Sequence, residues 1–213
     1  MRAVLLTLLT VVVLAIASAF TFIYAGVYDV SATQPHWPVT YWAMDTVRVQ
    51  SVKARATGIT PPADLGSQVN VVAGTSHFAA HCASCHGAPG VPRGDIANGL
   101  YPQPADLAQS AKRYSAGELF WILKNGIKMS GMPAWSDHSD EELWGTVAFV
   151  QKLPGMSEAD YGKLIMESMQ AGGRHGHNMQ GMDHGSMPGM DHGAMPGMAP
   201  SDKPTQAPAD HKH

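Results

Sequence analysis

Both cysteines of this 213-residue chain fall within one hexapeptide, His81-Cys82-Ala83-Ser84-Cys85-His86, followed at once by GAPG. Three chemistries use thiols at this spacing. A structural zinc site needs four ligands, usually from a second Cys or His pair at similar spacing. No second pair of cysteines exists here. A thiol oxidoreductase sets C-x-x-C within a βαβ pattern, and the flanks read as helix and loop. C-x-x-C-H is the signature of covalent haem attachment. Two thiols on neighbouring helical turns reach vinyl groups on adjacent pyrroles and form thioethers. The next residue, His86, then offers an imidazole nitrogen to iron. Phe78, Cys82 and Cys85 at i, i+4 and i+7 share a helix face that would pack on the ring. One covalent haem c on Cys82 and Cys85 is the expectation, with zinc and thiol redox chemistry as its rivals.

An iron held by His86 needs a ruling on its other axial position. Downstream lies GIKMSGMPAW. Gly131 before Met132 lets the backbone come close, and Pro133 after it stiffens the exit. Met132 is therefore the expected thioether ligand, and Met129 is its rival. The bland reading of both methionines is core filling. Methionine here raises the reduction potential relative to a second histidine. His77 and His81 lie on the turn before the motif and read as helix-surface residues. Trp121, Trp135 and Trp144 read as packing around haem or helix.

Around this motif the chain divides into five stretches. No charged side chain occurs from Ala3 to Gly26. That run has the length of about twenty residues needed to cross a hydrocarbon core. Residues 1–26 are read as a transmembrane anchor. The competing reading is a signal peptide cut near Ala17-Ser18-Ala19. Either would export the remainder of the chain. Residues 27–69 are a juxtamembrane linker, with a helix expected over 39–56 between the prolines. That helix either lies on the membrane surface or packs on the next domain. Residues 70–156 form the compact domain, with a first helix over about 76–86. A second starts at the Ser115/Glu118 capping-box spacing and a third at Ser139/Glu142. The segment between the first and second helices, dense in Gly and Pro, reads as loop. Residues 157–167 are a short connecting helix.

From 168 to 213 an eight-residue unit, GMDHGSMP then GMDHGAMP, repeats and truncates. It has almost no branched or aromatic residues, so it is expected to be disordered. Met179, Met182, His184, Met187, Met190, His192, Met195 and Met198 alternate thioether and imidazole. Thioethers select Cu(I) and imidazole accepts Cu(II). These eight are candidate copper ligands, against a metal-free low-complexity extension. With 13 Met and 11 His in the chain, their placement is more informative than the net charge of −3. That charge is too mild to argue for nucleic acid.

The blocks FAAHCASCHG, YPQPADL, ELFWILKNGIKMSGMPAW and EELWGTVAFVQKLP follow the order of class I c-type cytochromes. They resemble most the membrane-anchored bacterial group with one haem, over about 75–156. The resemblance implies an all-α cytochrome c-like domain around one covalent haem, with crossing terminal helices. It implies Cys82 and Cys85 as thioether sites, His86 as proximal ligand and Met132 as distal ligand. It also implies a loop proline carbonyl supporting the imidazole, with Pro102 and Pro104 as candidates.

A His/Met-ligated iron has no open position for substrate. The expected function is therefore electron transfer and not catalysis. The protein would stand alone or serve as a subunit of a larger oxidoreductase. It would sit on the bacterial inner membrane as a single-pass protein with its haem domain in the periplasm. A quinol-oxidising complex or periplasmic dehydrogenase would donate, and a terminal oxidase or reductase would accept. Lys112, Arg113, Lys124 and Lys128 are either a docking rim for an acidic partner or a solvated face. Two other readings compete. One is a copper-handling protein with an auxiliary haem domain. The other is a ligand-binding or peroxide-reducing haem protein in which Met132 detaches.

Overall fold

The computed structural model of the chain describes residues 1–175, and its named elements are all α-helices. They are α1 (Arg2–Tyr24), α2 (Pro38–Ala56), α3 (Gln68–His81), α4 (Ala83–His86), α5 (Asp95–Asn98), α6 (Leu107–Arg113), α7 (Ala116–Asn125), α8 (Asp140–Val150) and α9 (Glu158–His175). The copper-ligand candidates of the C-terminal repeat lie outside the described residues.

Helix α1 is long and apolar enough to cross a membrane, and none of its residues is buried within the protein. A signal sequence near the N-terminus has the same length and composition. The hydroxyls of Thr7, Thr10 and Thr21 donate to carbonyls one turn back, at 3.0, 2.9 and 2.9 Å. Those bonds satisfy the polar groups of an otherwise apolar helix.

Helix α2 starts with Pro38 in its first turn, where a missing N–H costs nothing. It packs on the helical domain: Val52 is buried, and α2 meets α7. Its charge goes the same way. Asp45 pairs with Arg48 and with Arg113 Nη2 at 2.9 Å, and Arg48 Nη1 donates to Tyr114 Oη at 2.9 Å. The intramolecular packing that the sequence left as one alternative is therefore present.

The centre of the domain is the crossing of α3 and α8. Gly74 and Gly145 allow these helices to meet backbone to backbone. Phe78 and Phe149, both fully buried, bring their ring centroids to 4.7 Å. Leu143 and Val147 fill the same core. Burial of side chains this large contributes about 1.5–3 kcal/mol each. Helix α9 closes the other side of α3. Tyr161 approaches Phe149 at 6.0 Å, and Gln68 Nε2 donates to Glu167 Oε2 at 2.8 Å.

Several boundaries differ from expectation. Helix α3 begins at Gln68, eight residues before the expected start, and the helix does not run unbroken to His86. Its last turn breaks at Cys82 (φ −110°, ψ −36°), and α4 restarts at Ala83. The β-branched and glycine-containing run VVAGTS has poor helix propensity, and packing against α8 overrides it. The stretch read as loop, 87–107, contains the short α5 (Asp95–Asn98) and runs into α6, whose cap Asp106 accepts from the N–H groups of Ala108 and Gln109. Helix α9 continues to His175, past the expected start of disorder at 168. Ser168 is buried, its hydroxyl donating to the Ile165 carbonyl at 2.8 Å.

Candidate haem site

The break at Cys82 comes from local bonding. Its N–H still closes α3 by donating to the Phe78 carbonyl at 2.8 Å, while its carbonyl accepts from Cys85 and His86 at 3.1 and 2.9 Å. One residue thus caps two helices. Cys82 ends the turn buried and Cys85 half-buried, and both thiols are free. Burial, with Cys85 beside it, pushes the Cys82 thiol up to about 12. The sulfur is therefore a neutral thiol, held among apolar neighbours.

His86 ends α4 with its ring held from one side. Nδ1 lies 2.8 Å from the carbonyl oxygen of Ala105. A carbonyl only accepts, so Nδ1 carries the hydrogen and Nε2 carries the lone pair. Burial is the main reason the imidazole sits below its ordinary range. The Ala105 bond works against that shift and Arg93 adds to it. A neutral imidazole of fixed tautomer is the form that ligates iron, and a second-shell carbonyl is its usual support. The supporting carbonyl belongs to Ala105 and not to Pro102 or Pro104. Asp106 caps α6 immediately after it, and that cap fixes where the Ala105 carbonyl points.

The loop after α7 treats the two methionines differently. Its hairpin closes by the Ile127 N–H donating to the Met132 carbonyl at 3.2 Å. The Met132 N–H in turn donates to Ser130 Oγ at 3.2 Å. A side chain at Gly131 would run into Leu100, and one at Gly126 into the backbone of Met132–Ala134. Met132 is half-buried and packed on the core, whereas Met129 has positive φ (59°) and is 83% exposed. The rigid, inward residue is Met132.

These side chains fit a covalent haem: two free thiols in the C-x-x-C-H arrangement, a tautomer-fixed neutral imidazole and a half-buried methionine on a braced loop.

The remaining candidates divide between packing and solvent. Trp144 stacks on Phe120 at 4.2 Å. Arg113 is committed to Asp45, and Lys124 to Asp140 at 2.6 Å, so a docking rim would rest on the exposed Lys112 and Lys128. His81 is exposed as expected. His77 is half-buried, with its Nε2 buried and without a hydrogen-bond partner. Burial, then the neighbouring His81 and His138, hold His77 below the ordinary histidine range.

Residues 69–150 match the sequence family described as Cytochrome C oxidase, cbb3-type, subunit III. No curated protein and no solved structure matches the chain.

Proposed function

Residues 69–150 are a cytochrome c domain of the cbb3-type oxidase subunit III family, a domain that implies covalent haem c and one-electron transfer; from this premise we propose a membrane-anchored carrier working between respiratory-chain proteins. In this reading Cys82 and Cys85 hold the haem through thioethers, and His86 and Met132 hold the iron. When bound, the haem supplies a centre that takes up and releases one electron.

The chain's own residues would hold that centre from both sides and leave it no open position. The Ala105 carbonyl holds the His86 proton on Nδ1, leaving Nε2 available in both oxidation states. The Ser130 hydroxyl and the Ile127 N–H hold the Met132 backbone, which fixes where its side chain starts. Ligands fixed by packing and hydrogen bonds keep reorganisation small. In this reading α1 anchors the domain, and α2, docked on α7, links the two. Partners are respiratory redox proteins, with a quinol-oxidising complex or dehydrogenase donating and a terminal oxidase or reductase accepting. The Met/His repeat adds a copper-binding arm to the carrier.

The observation carrying this reading is the Ala105-supported imidazole directly after the two free thiols, within the matched stretch. Carbon monoxide tests it. Ferrous protein in native membranes should leave carbon monoxide unbound at neutral pH. Stoichiometric binding would replace the carrier with a ligand-binding or peroxide-reducing haem protein.

A further inference from the structure

His77, His81 and His138 gather where no role in electron transfer needs them. One ring nitrogen from each lies within 4.8 Å of the others. His77 and His81 are one turn apart on α3, and His138 stands just before α8. The ring centroids are 4.7 Å apart for His77–His81, 4.8 Å for His77–His138 and 5.5 Å for His81–His138. Trp135 packs against all three, at 6.0, 5.2 and 5.2 Å.

We propose that His77, His81 and His138 form a three-histidine site for a divalent transition-metal ion, Zn2+ or Cu2+, separate from the haem iron. Three observations carry it. The first is convergence: an i, i+4 histidine pair on one helix is a standard two-ligand presentation, and a third imidazole arrives from a distant loop. The second is the missing partner. Among the described residues, His77 Nε2 and Trp135 Nε1 are the buried side-chain N or O atoms without a hydrogen-bond partner, and both lie in this cluster. A buried nitrogen without a partner is costly, and a metal ion would satisfy His77 Nε2. The third is orientation. Ser139, next to His138, is fixed by a capping box with Glu142. His138 Nδ1 also lies 3.3 Å from Asp137 Oδ1. A carboxylate on one ring nitrogen is the usual second-shell support for ligation through the other.

Metal–nitrogen bonds of about 2.0–2.1 Å require the three nitrogens to draw closer than they now lie. His81 is exposed and free to rotate inward. Three imidazole nitrogens suit a borderline ion better than a hard one such as Mg2+. Three protein ligands leave an open fourth position for water. An ion there would tie the end of α3, directly before the CASCH motif, to the start of α8.

The test is titration of the full-length, haem-loaded protein with Zn2+, and separately with Cu2+, against a competing chelator. Wild type is compared with His81→Ala and with His138→Ala. Histidines elsewhere in the chain contribute equally to all three proteins and cancel. Each variant should bind one equivalent fewer of Zn2+ or Cu2+, with an unchanged haem spectrum. Loss with either ion supports the site. Equal stoichiometry and affinity in all three proteins, for both ions, would overturn it. The readout is an ion count and not a haem signal, so it succeeds or fails independently of the haem assignment.

Discussion

Gly74 of α3 and Gly145 of α8 are in backbone contact, and a Cβ at Gly74 would overlap the Gly145 carbonyl. Cys82 caps the same α3 and Cys85 follows in α4, so this crossing positions the site as well as the core. Gly74→Ala must separate the helices or distort them, at about 1–3 kcal/mol or more. Lower thermal stability and poorer haem retention are expected, measured by melting and by haem content per chain. Gly145→Ala should be milder, because its nearest neighbour, Gly74 N, would lie 3.3 Å from the new methyl.

The two loop methionines separate by substitution. Met132→Ala should convert the ferrous haem from inert to carbon monoxide-binding. Met129→Ala should leave ligand binding and spectrum unchanged, since that side chain is 83% exposed. A near-infrared sulfur-to-iron band that survives Met132→Ala would reassign the distal ligand.

Acid should release α2 before it unfolds the core. The side-chain hydrogen bond from Arg113 is the largest reason the Asp45 carboxyl lies below its usual 3.8. A carboxyl with a depressed folded-state value contributes stability above its unfolded value and loses it as pH falls through the folded one. Hydrogen exchange in α2 should therefore accelerate below about pH 4, and Asp45→Asn should show the same fast exchange at neutral pH. The partly exposed pair is worth at most about 1 kcal/mol. Val52→Ala, which empties a buried position on the same helix, should cost more, about 2 kcal/mol.

The copper question calls for a truncation that respects α9. Ending the chain at 167 would cut through that helix beside the buried Ser168, so the cut belongs after His175. The shortened protein should keep its haem spectrum and lose stoichiometric Cu(I) in a chelator competition. Equal copper in both forms would remove the copper arm from the proposal.

How far the sequence revealed this structure varied with the range of the interaction. Both capping boxes, Ser115/Glu118 and Ser139/Glu142, form as their spacing implies, because a cap is settled within four residues. Helix α2 appears at Pro38–Ala56 against an expected 39–56. The misses were set by distant partners. The eight extra N-terminal residues of α3 are held by α8 and α9, and the continuation of α9 is helped by packing on α3. The Ala105 carbonyl supports His86 because of how the Asp106-capped turn points it. The residues flanking Ala105 give no sign of that. His77 reads as a surface residue, yet the fold half-buries it against His138 and Trp135, both distant in the chain, while His81 beside it stays exposed.

The most direct measurement is a denaturing gel of membranes from a host that matures c-type cytochromes, stained for haem and paired with a pyridine haemochrome spectrum. The covalent-haem account predicts one haem of c type per chain that survives denaturation, and its loss from the double variant Cys82→Ala/Cys85→Ala. A polypeptide without haem under those conditions, or haem that extracts into acidified organic solvent, would contradict it.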